Sequence, residues 1–354
     1  MFFKKNKYKH KPTNPFIVLL FLATAMISCN EKRDERKIDR SFYYWRSVFT
    51  LDKSEEQQLQ QLKVQTLYVK FFDVDWNGQT SEPLPMAILQ NPRDTVPPAV
   101  TIIPVVFITN ECIQQIDTSQ VSSVARKIVS LVNTIYRNDR FQGSFPEIQI
   151  DCDWTASTKD KYFSLLTMIR QLSHTSISAT IRLHQVKFIS RSGVPPVDKG
   201  LLMCYNMGNL KDPSTKNSIL ETTELKKYTA NLSAYSLPLD VAVPLFEWKV
   251  LFRQDHYVGL LQNLPDTVLT SSFCSQKQNR YLLLKDTALL GYELRKGDII
   301  RDEKSDYTEI MSALEEINLR LKNTHPRVIL YHLDAVLLRK YSAHELENIY
   351  NSLR

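Results

Sequence analysis

The sequence predicts an α/β protein whose main domain is a (β/α)8 barrel of the TIM type. Three observations predict this fold. Short apolar runs of strand length alternate with amphipathic segments of helical length. Eight such runs occur, and repeated βα units imply parallel strands with right-handed crossovers, which eight strands close into a barrel. No glycine-rich phosphate-binding loop follows any of them, which disfavours a dinucleotide-binding sheet.

The eight candidate strands are rich in β-branched and aromatic residues. They span 42–49, 66–76, 100–108, 147–154, 177–184, 200–206, 240–248 and 328–334. Helices are predicted by apolar residues at helical spacing over 52–62, 119–136, 158–172 and 306–322. The stretch 249–305 is too long for one loop, and its short apolar runs indicate a helix with a small β insertion before the last strand. The predicted barrel domain spans 41–345.

The N-terminus has the pattern of an export signal. Five lysines precede an apolar run over 16–27, which at about 12 residues is shorter than the roughly 20 needed to span a bilayer. The run ends at Ser28 and Cys29, which resembles the bacterial lipobox. The resemblance implies that 1–28 is a signal peptide and that Cys29 is lipidated as a membrane anchor. The alternatives are an ordinary cleavable signal or an uncleaved anchor helix.

The segment 29–40 is predicted to be a charged tether between the lipid and the barrel, because it carries charges of both signs and no apolar face. Removal of 1–28 takes away five lysines and no acidic residue, so most of the formal net charge of +7 belongs to the signal. The remaining chain is close to neutral, and the expectation of nucleic-acid binding loses its support.

Polar side chains collect where the predicted strands end. The C-terminal ends of barrel strands meet at one face, where active sites form. Asp151 and Asp153 close the fourth strand on one face of it, and Glu247 closes the seventh. The other candidate residues at strand ends are Asp73, Asp75, Trp76, Trp154, Arg182, His184, Tyr205, Trp248 and Asp334. This pattern predicts a polar cleft at the mouth of the barrel.

Carboxylates and tryptophans around one cleft favour chemistry on sugars. Tryptophan rings stack on pyranose rings, and glycoside hydrolysis needs one carboxyl that donates a proton and another that stays ionised. The alternatives are structural. Arg182 and His184, on one strand face, can neutralise the two aspartates, while the other groups can cap helices, form loop salt bridges or pack in the core.

The end of the fourth strand resembles the Asp-x-x-Asp-x-Asp-x-Glu motif of family 18 chitinases. Aligned on Trp154, Asp151 and Asp153 occupy the two later aspartate positions. Ile148 stands at the first aspartate position and Thr155 at that of the catalytic glutamate. Chitinase activity therefore does not carry over with the motif.

A second resemblance concerns placement. Many retaining glycosidases with this barrel carry the acid on strand four and the nucleophile on strand seven, and Asp153 and Glu247 occupy comparable strand ends. If the barrel is active, strand-end chemistry makes Asp153 the candidate acid/base and Glu247 the nucleophile or second carboxylate, with Asp151 tuning Asp153. Tyr205 and the tryptophans would hold the sugar. The Asn-Glu pair that those enzymes carry on strand four is lacking.

The chain from about Ser41 to Leu338 is similar to an uncharacterised family of glycoside-hydrolase-like bacterial envelope lipoproteins. The likeness lies in the aromatic first strand, the segment 71–74 and the strand end 151–154. It implies the barrel fold and a place in the cell envelope, as an outer-membrane lipoprotein facing either the periplasm or the surface. It implies no established activity.

The sequence thus predicts a lipid-anchored barrel that hydrolyses glycosidic bonds, with a non-catalytic glycan-binding protein or an envelope scaffold as alternatives. No cofactor is expected, and no metal, because the histidines and cysteines show no ligand spacing. After Cys29, four cysteines remain, and the sequence leaves open whether two of them form a disulfide.

Overall fold

The computed structural model describes residues 1–2, 36–90, 97, 99–138, 141, 143–261 and 264–354. The predicted signal peptide, Cys29 and most of the tether lie outside these residues. The chain divides into the units Met1–Arg36 and Lys37–Arg354, and the second contains every element below. No helix of the described ranges is long and apolar enough to cross a membrane.

The strands of the described residues are β1 (Asp39–Tyr44), β2 (Thr66–Asn77), β3 (Glu82–Met86), β4 (Thr101–Ile108), β5 (Glu147–Asp151), β6 (Ser176–Arg182), β7 (Lys199–Met203), β8 (Leu239–Pro244), β9 (Glu247–Arg253), β10 (His256–Leu261), β11 (Cys274–Lys277), β12 (Arg280–Leu283), β13 (Thr287–Leu289), β14 (Tyr292–Leu294), β15 (Ile299–Lys304) and β16 (Arg327–Tyr331). The helices are α1 (Lys53–Gln61), α2 (Asn110–Gln115), α3 (Val121–Asn138), α4 (Lys159–Ser173), α5 (Leu183–Lys187), α6 (Ile189–Ser192), α7 (Thr222–Leu225), α8 (Tyr307–Asn318), α9 (Ala335–Leu338) and α10 (Ala343–Asn351).

Eight parallel strands close into a barrel. Their order is β1-β16-β8-β7-β6-β5-β4-β2, and pairing of β1 with β2 closes the ring. The predicted (β/α)8 fold is therefore confirmed. Each of the eight predicted apolar runs overlaps one barrel strand, although the first run, 42–49, covers only the second half of β1.

The helices form where the sequence gives them caps and an apolar stripe. Asp52 accepts from the Glu55 amide at 2.8 Å and begins α1 with a capping box. In α3 the residues buried against the barrel include Val124, Ile128 and Val132, at helical spacing. These contacts cover the outer, apolar face of the strands, so the polar residues that remain are at the strand ends.

The insertion differs from its prediction in two ways. The run 240–248 is not one strand, because the barrel strand β8 ends at Pro244 and a second strand, β9, begins at Glu247. β9 belongs to an antiparallel sheet ordered β10-β9-β15-β12-β11, which has a hydrophobic cluster of its own. The predicted helix of the insertion is, among the described residues, a single 3₁₀ turn at Asp266–Val268. Glu247 and Trp248 are therefore insertion residues and not barrel residues.

The four cysteines of the barrel and its insertion are free thiols. Cys112, Cys152, Cys204 and Cys274 are all buried. Burial raises the pKa of the Cys112 thiol to about 12. Protonated buried thiols of this kind act as small apolar core residues.

Candidate functional site

A cleft of about 450 Å³ opens at the C-terminal ends of the barrel strands. Every barrel strand, or the loop that follows it, contributes to its wall. The lining residues are Tyr43, Trp45, Lys70, Asp73, Phe107, Asp151, Arg182, Met203, Tyr205, Asn206, Phe246, Trp248, Tyr331 and His332. We call this space the mouth cleft. The cleft lies at the strand ends, where the sequence predicts a polar cleft.

Asp151 is the buried carboxyl of the mouth cleft. It ends β5, is 4% exposed, and accepts a hydrogen bond of 2.6 Å from the Thr180 hydroxyl. Burial raises the pKa of the Asp151 carboxyl to about 6, although the Arg182 guanidinium and the Thr180 hydroxyl both act to lower it. Near neutral pH this group exchanges a proton readily, which suits it to donate or accept one.

A β-bulge in β2 brings a second carboxylate into the cleft. The register of β2 against β4 shifts between Lys70 and Phe72. An extra residue on one strand breaks the alternation of side chains, so Lys70 and Asp73 both face the cleft although they are three residues apart. The Lys70 ammonium lies 3.0 Å from Asp73 Oδ2 and over the Trp45 ring, 5.7 Å from its centroid.

Arg182 links the cleft to Asp153. Its guanidinium donates to both oxygens of Asp153, through Nε to Oδ1 and through Nη2 to Oδ2 at 3.0 Å. This bidentate pair neutralises Asp153, which follows β5 and does not line the cleft. Arg182 therefore neutralises Asp153, as the structural alternative predicts. Asp151 instead accepts its side-chain hydrogen bond from Thr180.

Two residues that line the cleft, and the buried Gln149, which does not line it, carry polar atoms without a protein partner. Among the described residues, the Tyr205 hydroxyl, Asp73 Oδ1 and Gln149 Nε2 are buried and accept or donate no hydrogen bond. The Gln149 side chain is held from its other end, where the Tyr43 hydroxyl donates to it. Buried polar groups are rarely left unpaired in a folded protein, so these atoms mark a place for polar groups of a ligand or for ordered water.

Aromatic rings form the walls. Tyr331 packs against Tyr43 at 5.5 Å, Tyr205 at 5.3 Å and Phe246 at 5.7 Å between ring centroids. Trp248 packs on Phe246 at 5.1 Å, and its indole nitrogen donates to Glu303 at 2.6 Å. These contacts fix the rings in place. Phe246, Trp248 and Tyr331 stay partly exposed, whereas Tyr43 and Tyr205 are almost fully buried.

Glu247 lies in a different groove. This second groove, of about 850 Å³, is lined by residues of the insertion and of the loop after β16, and Trp248 alone lines both spaces. Glu247 Oε1 is 2.5 Å from the Lys340 ammonium. Asp153 and Glu247, expected to act as a pair, therefore each have a basic partner, and neither lines the mouth cleft.

Five other candidates lie outside the cleft, and four of them have structural contacts. Trp154 is buried, stacks on Tyr162 at 5.2 Å and donates to the Ser192 carbonyl, so its ring faces are covered. Asp75 accepts from the Thr109 hydroxyl at 2.8 Å, and Asp334 caps α9. The remaining two candidates outside the cleft are Trp76, which packs against the core, and His184, which is exposed. His184 follows the end of β6 in α5, so it does not share a strand face with Arg182.

Several cleft residues are not singled out by the sequence. Tyr43, Trp45, Phe107 and Tyr331 read as ordinary strand aromatics, since the sequence does not show which rings reach the strand ends. Lys70 carries the one usable signal, because a lysine within an apolar strand must find a charged or aromatic partner.

No family model and no curated protein matches the chain. Solved structures do match. They include the spore cortex-lytic enzyme SleL of Bacillus cereus, at 11% identity and TM-score 0.53 over 90% of this chain and 75% of that chain. A chitinase of Chromobacterium violaceum matches at 10% identity and TM-score 0.51 over 85% and 96%. A GH18 chitinase variant of Cycas revoluta in complex with (GlcNAc)4 matches at 10% identity and TM-score 0.52 over 89% and 99%.

Identities this low show the fold alone. The chain has a (β/α)8 barrel fold similar to that of these enzymes, and its mouth cleft lies at the face where (β/α)8 barrels form their sites.

Proposed function

We propose that the chain is a lipid-anchored envelope protein that binds an oligosaccharide in the mouth cleft. One observation carries the proposal: the cleft combines accessible aromatic rings with buried polar atoms that have no protein partner. Sugars present apolar ring faces and a rim of hydroxyl and amide groups, and this cleft offers a complement to both.

The unpaired polar atoms favour a barrel mouth that binds a ligand over one that is only filled by side chains. An unpaired buried hydroxyl or carboxylate oxygen costs free energy, and a ligand that supplies the missing partner recovers it. The Tyr205 hydroxyl can donate or accept, whereas Asp73 Oδ1 can only accept. The pair therefore suits a ligand that carries both donors and acceptors. The (GlcNAc)4 bound by the Cycas revoluta chitinase has this character, which makes chitotetraose the first probe.

Hydrolysis is the second candidate, and the pKa of Asp151 favours it. With a pKa of about 6, Asp151 holds a proton in part of the molecules near neutral pH and is placed to protonate a glycosidic oxygen in the cleft. Asp73 would be the second carboxylate. The assignment of Asp153 and Glu247 as the catalytic pair has less support, because both are ion-paired outside the cleft.

Titration calorimetry with chitotetraose tests the binding proposal. Trp248→Ala should weaken affinity at least about tenfold, because it removes a ring that lines the cleft. Trp76→Ala is the matched control, since Trp76 does not line the cleft, and it should leave the affinity unchanged. No heat of binding for chitotetraose or for a panel of bacterial cell-wall glycans, or equal affinities of the two variants, would overturn the proposal.

Release of reducing ends separates hydrolysis from binding. If the barrel is an enzyme, Asp151→Asn should abolish turnover while chitotetraose still binds. Binding without release of reducing ends by the wild-type protein leaves the binding proposal and eliminates the enzyme.

The anchor is a proposal of its own. The lipobox-like sequence at Cys29 supports cleavage before this residue and lipidation of its thiol. A fatty-acid analogue should label the full chain expressed in a bacterium with an outer membrane, and Cys29→Ser should abolish labelling. Equal labelling of both would sink the proposal.

A further inference from the structure

We propose that the face of the barrel opposite the mouth cleft docks on a membrane surface that contains anionic phospholipid. The proposal rests on the lipid anchor of the proposed function. We call this surface the basal face and define it by residues 37–38, 62–65, 174–175, 319–326 and 352–354. All but the last range precede the first residue of a barrel strand, and the last follows α10, which runs back along the barrel.

The tether reaches the barrel at the basal face. β1 begins at Asp39, and the mouth cleft lies at the other end of the same strands. Cys29 precedes Asp39 by ten residues, and a chain of this length spans at most about 33–36 Å. A lipid on Cys29 therefore keeps Asp39, at the basal face, within about 36 Å of its attachment point. The cleft lies at the opposite end of the strands.

The charge of the basal face is suited to that surface. Lys63 and Lys322 are exposed, and among the ion pairs of the described residues neither has a carboxylate within 4 Å. Lys37, Arg137 and Arg354 are also exposed at this end of the barrel. A cluster of basic side chains close to a membrane binds anionic lipid headgroups.

Acidic groups near this face are mostly occupied. Glu347 is 2.6 Å from Arg40, and Glu316 and Asp198 are paired with Arg320 and Arg170. Glu315, which is exposed in the last turn of α8, Asp39 and the chain terminus are acidic groups that oppose the exposed basic residues.

One exposed apolar side chain on the basal face also suits contact with a membrane. Leu319, in the same loop as Lys322, is 60% exposed. Basic residues beside an exposed leucine are the combination found where proteins lie at a membrane interface.

A structural role for the basic residues is the competing explanation. The helices of the barrel end at the basal face, and their C-termini carry partial negative charge that basic side chains offset. That role needs no membrane and predicts no change in exposure of Lys63 or Lys322 when lipid composition changes.

Lysine footprinting of the full, lipidated chain tests the proposal. The protein is inserted in phosphatidylcholine vesicles with or without phosphatidylglycerol and labelled with a water-soluble amine-reactive ester. We expect phosphatidylglycerol to slow labelling of Lys63 and Lys322 by at least about threefold, and high salt to reverse the effect. Lys277 and Lys296, which are exposed in the insertion, should label equally in both vesicles.

Charge reversal supplies the matched control. Lys63→Glu with Lys322→Glu should abolish protection of Lys37 by phosphatidylglycerol, and Lys277→Glu with Lys296→Glu should preserve it. A chain without lipid on Cys29, read from the mass of the N-terminal peptide, overturns the anchor and this proposal together. A lipidated chain whose basal lysines label equally in the two vesicles overturns the docking surface and leaves the anchor intact.

Discussion

At the scale of single residues, the most unusual group of the mouth cleft is the Asp151 carboxyl, because its surroundings destabilise its ionised form. Asp151 is enclosed by strands, and burial outweighs the guanidinium and the hydroxyl that stabilise its charge. A group of this kind lowers the stability of the protein at neutral pH. Proteins retain such a destabilising carboxyl mainly where it has a function, so carboxyls with strongly shifted pKa values concentrate at functional sites.

The shifted pKa of Asp151 predicts a stability difference that depends on pH. Because the folded pKa, about 6, exceeds the ordinary value of 3.8, the stabilising contribution of the protonated group is complete below about pH 4 and is lost as pH rises through 6. Asp151→Asn should therefore raise the free energy of unfolding at pH 8 by about 2–3 kcal/mol, and by much less at pH 4. Urea unfolding at both pH values checks this, with exposed Asp160→Asn as control. Equal changes at both pH values would contradict it.

The variant Tyr205→Phe tests whether the Tyr205 hydroxyl binds a ligand or stabilises the fold. Its hydroxyl is buried without a partner, so Tyr205→Phe should leave the free energy of unfolding within about 0.5 kcal/mol of wild type or raise it slightly. If the hydroxyl meets a sugar, the same variant should weaken chitotetraose binding by about five- to tenfold. Thermal unfolding and calorimetry on one preparation give both numbers. A clear loss of stability would show that the hydroxyl has a partner within the protein.

At the scale of elements, the barrel strands are predictable and the junctions between them are not. Alternation of apolar runs with amphipathic segments locates all eight strands, because each must bury both faces. The run 240–248 reads as one strand because its apolar residues are continuous, although Pro244 ends the barrel strand there. That error places Glu247 in the mouth cleft by sequence, whereas β9 carries it into the groove of the insertion, and only Trp248 of the two lines the cleft.

The sequence predicts a cleft at the strand ends, but it identifies only some of the residues that line it. Asp73, Asp151, Arg182, Tyr205 and Trp248 are both predicted and found in the cleft. Lys70 escapes prediction together with the β2 bulge that turns it and Asp73 to the same side. A bulge has no reliable signature in one sequence, since it depends on the register of the neighbouring strand.

The insertion is joined to the barrel by a buried arginine, which predicts a large effect of one substitution. Arg301 is fully buried, donates to the Leu210 and Asp212 carbonyls at 3.0 and 2.7 Å, and pairs with Glu303. Arg301→Ala leaves Glu303 buried without its cation and should cost about 3–5 kcal/mol in urea unfolding. Exposed Arg295→Ala in the same insertion should cost less than about 1 kcal/mol. Similar costs for both would show that the junction is not held by this network.

At the scale of the whole molecule, the two ends of the barrel use charge differently. The mouth leaves polar atoms unpaired around a cleft, whereas the interior of the basal end is closed by a satisfied ion network. There Glu147 accepts from Ser178 at 2.6 Å and Arg327 at 2.7 Å, and Lys199 lies 3.2 Å from it. Asp240 completes the network, 3.1 Å from Lys199. These residues come from five barrel strands, so the network ties the ring together at the end opposite the mouth cleft.

Glu147 should therefore control the acid stability of the whole barrel. Burial opposes its charge, but Lys199, Arg327 and Ser178 outweigh burial and lower the pKa of the Glu147 carboxyl below its ordinary value of 4.5. A lowered pKa means stability that is present above pH 4.5 and is lost as pH falls. Glu147→Gln, which leaves Lys199 and Arg327 without this carboxylate, should cost about 3 kcal/mol at pH 7 and progressively less below pH 4.5. Urea unfolding from pH 3 to 7 measures the difference, and exposed Glu293→Gln should show neither the cost nor its pH dependence. A cost that grows as pH falls would mean that the network destabilises the charged carboxylate, and closure of the basal end would then depend on apolar packing alone.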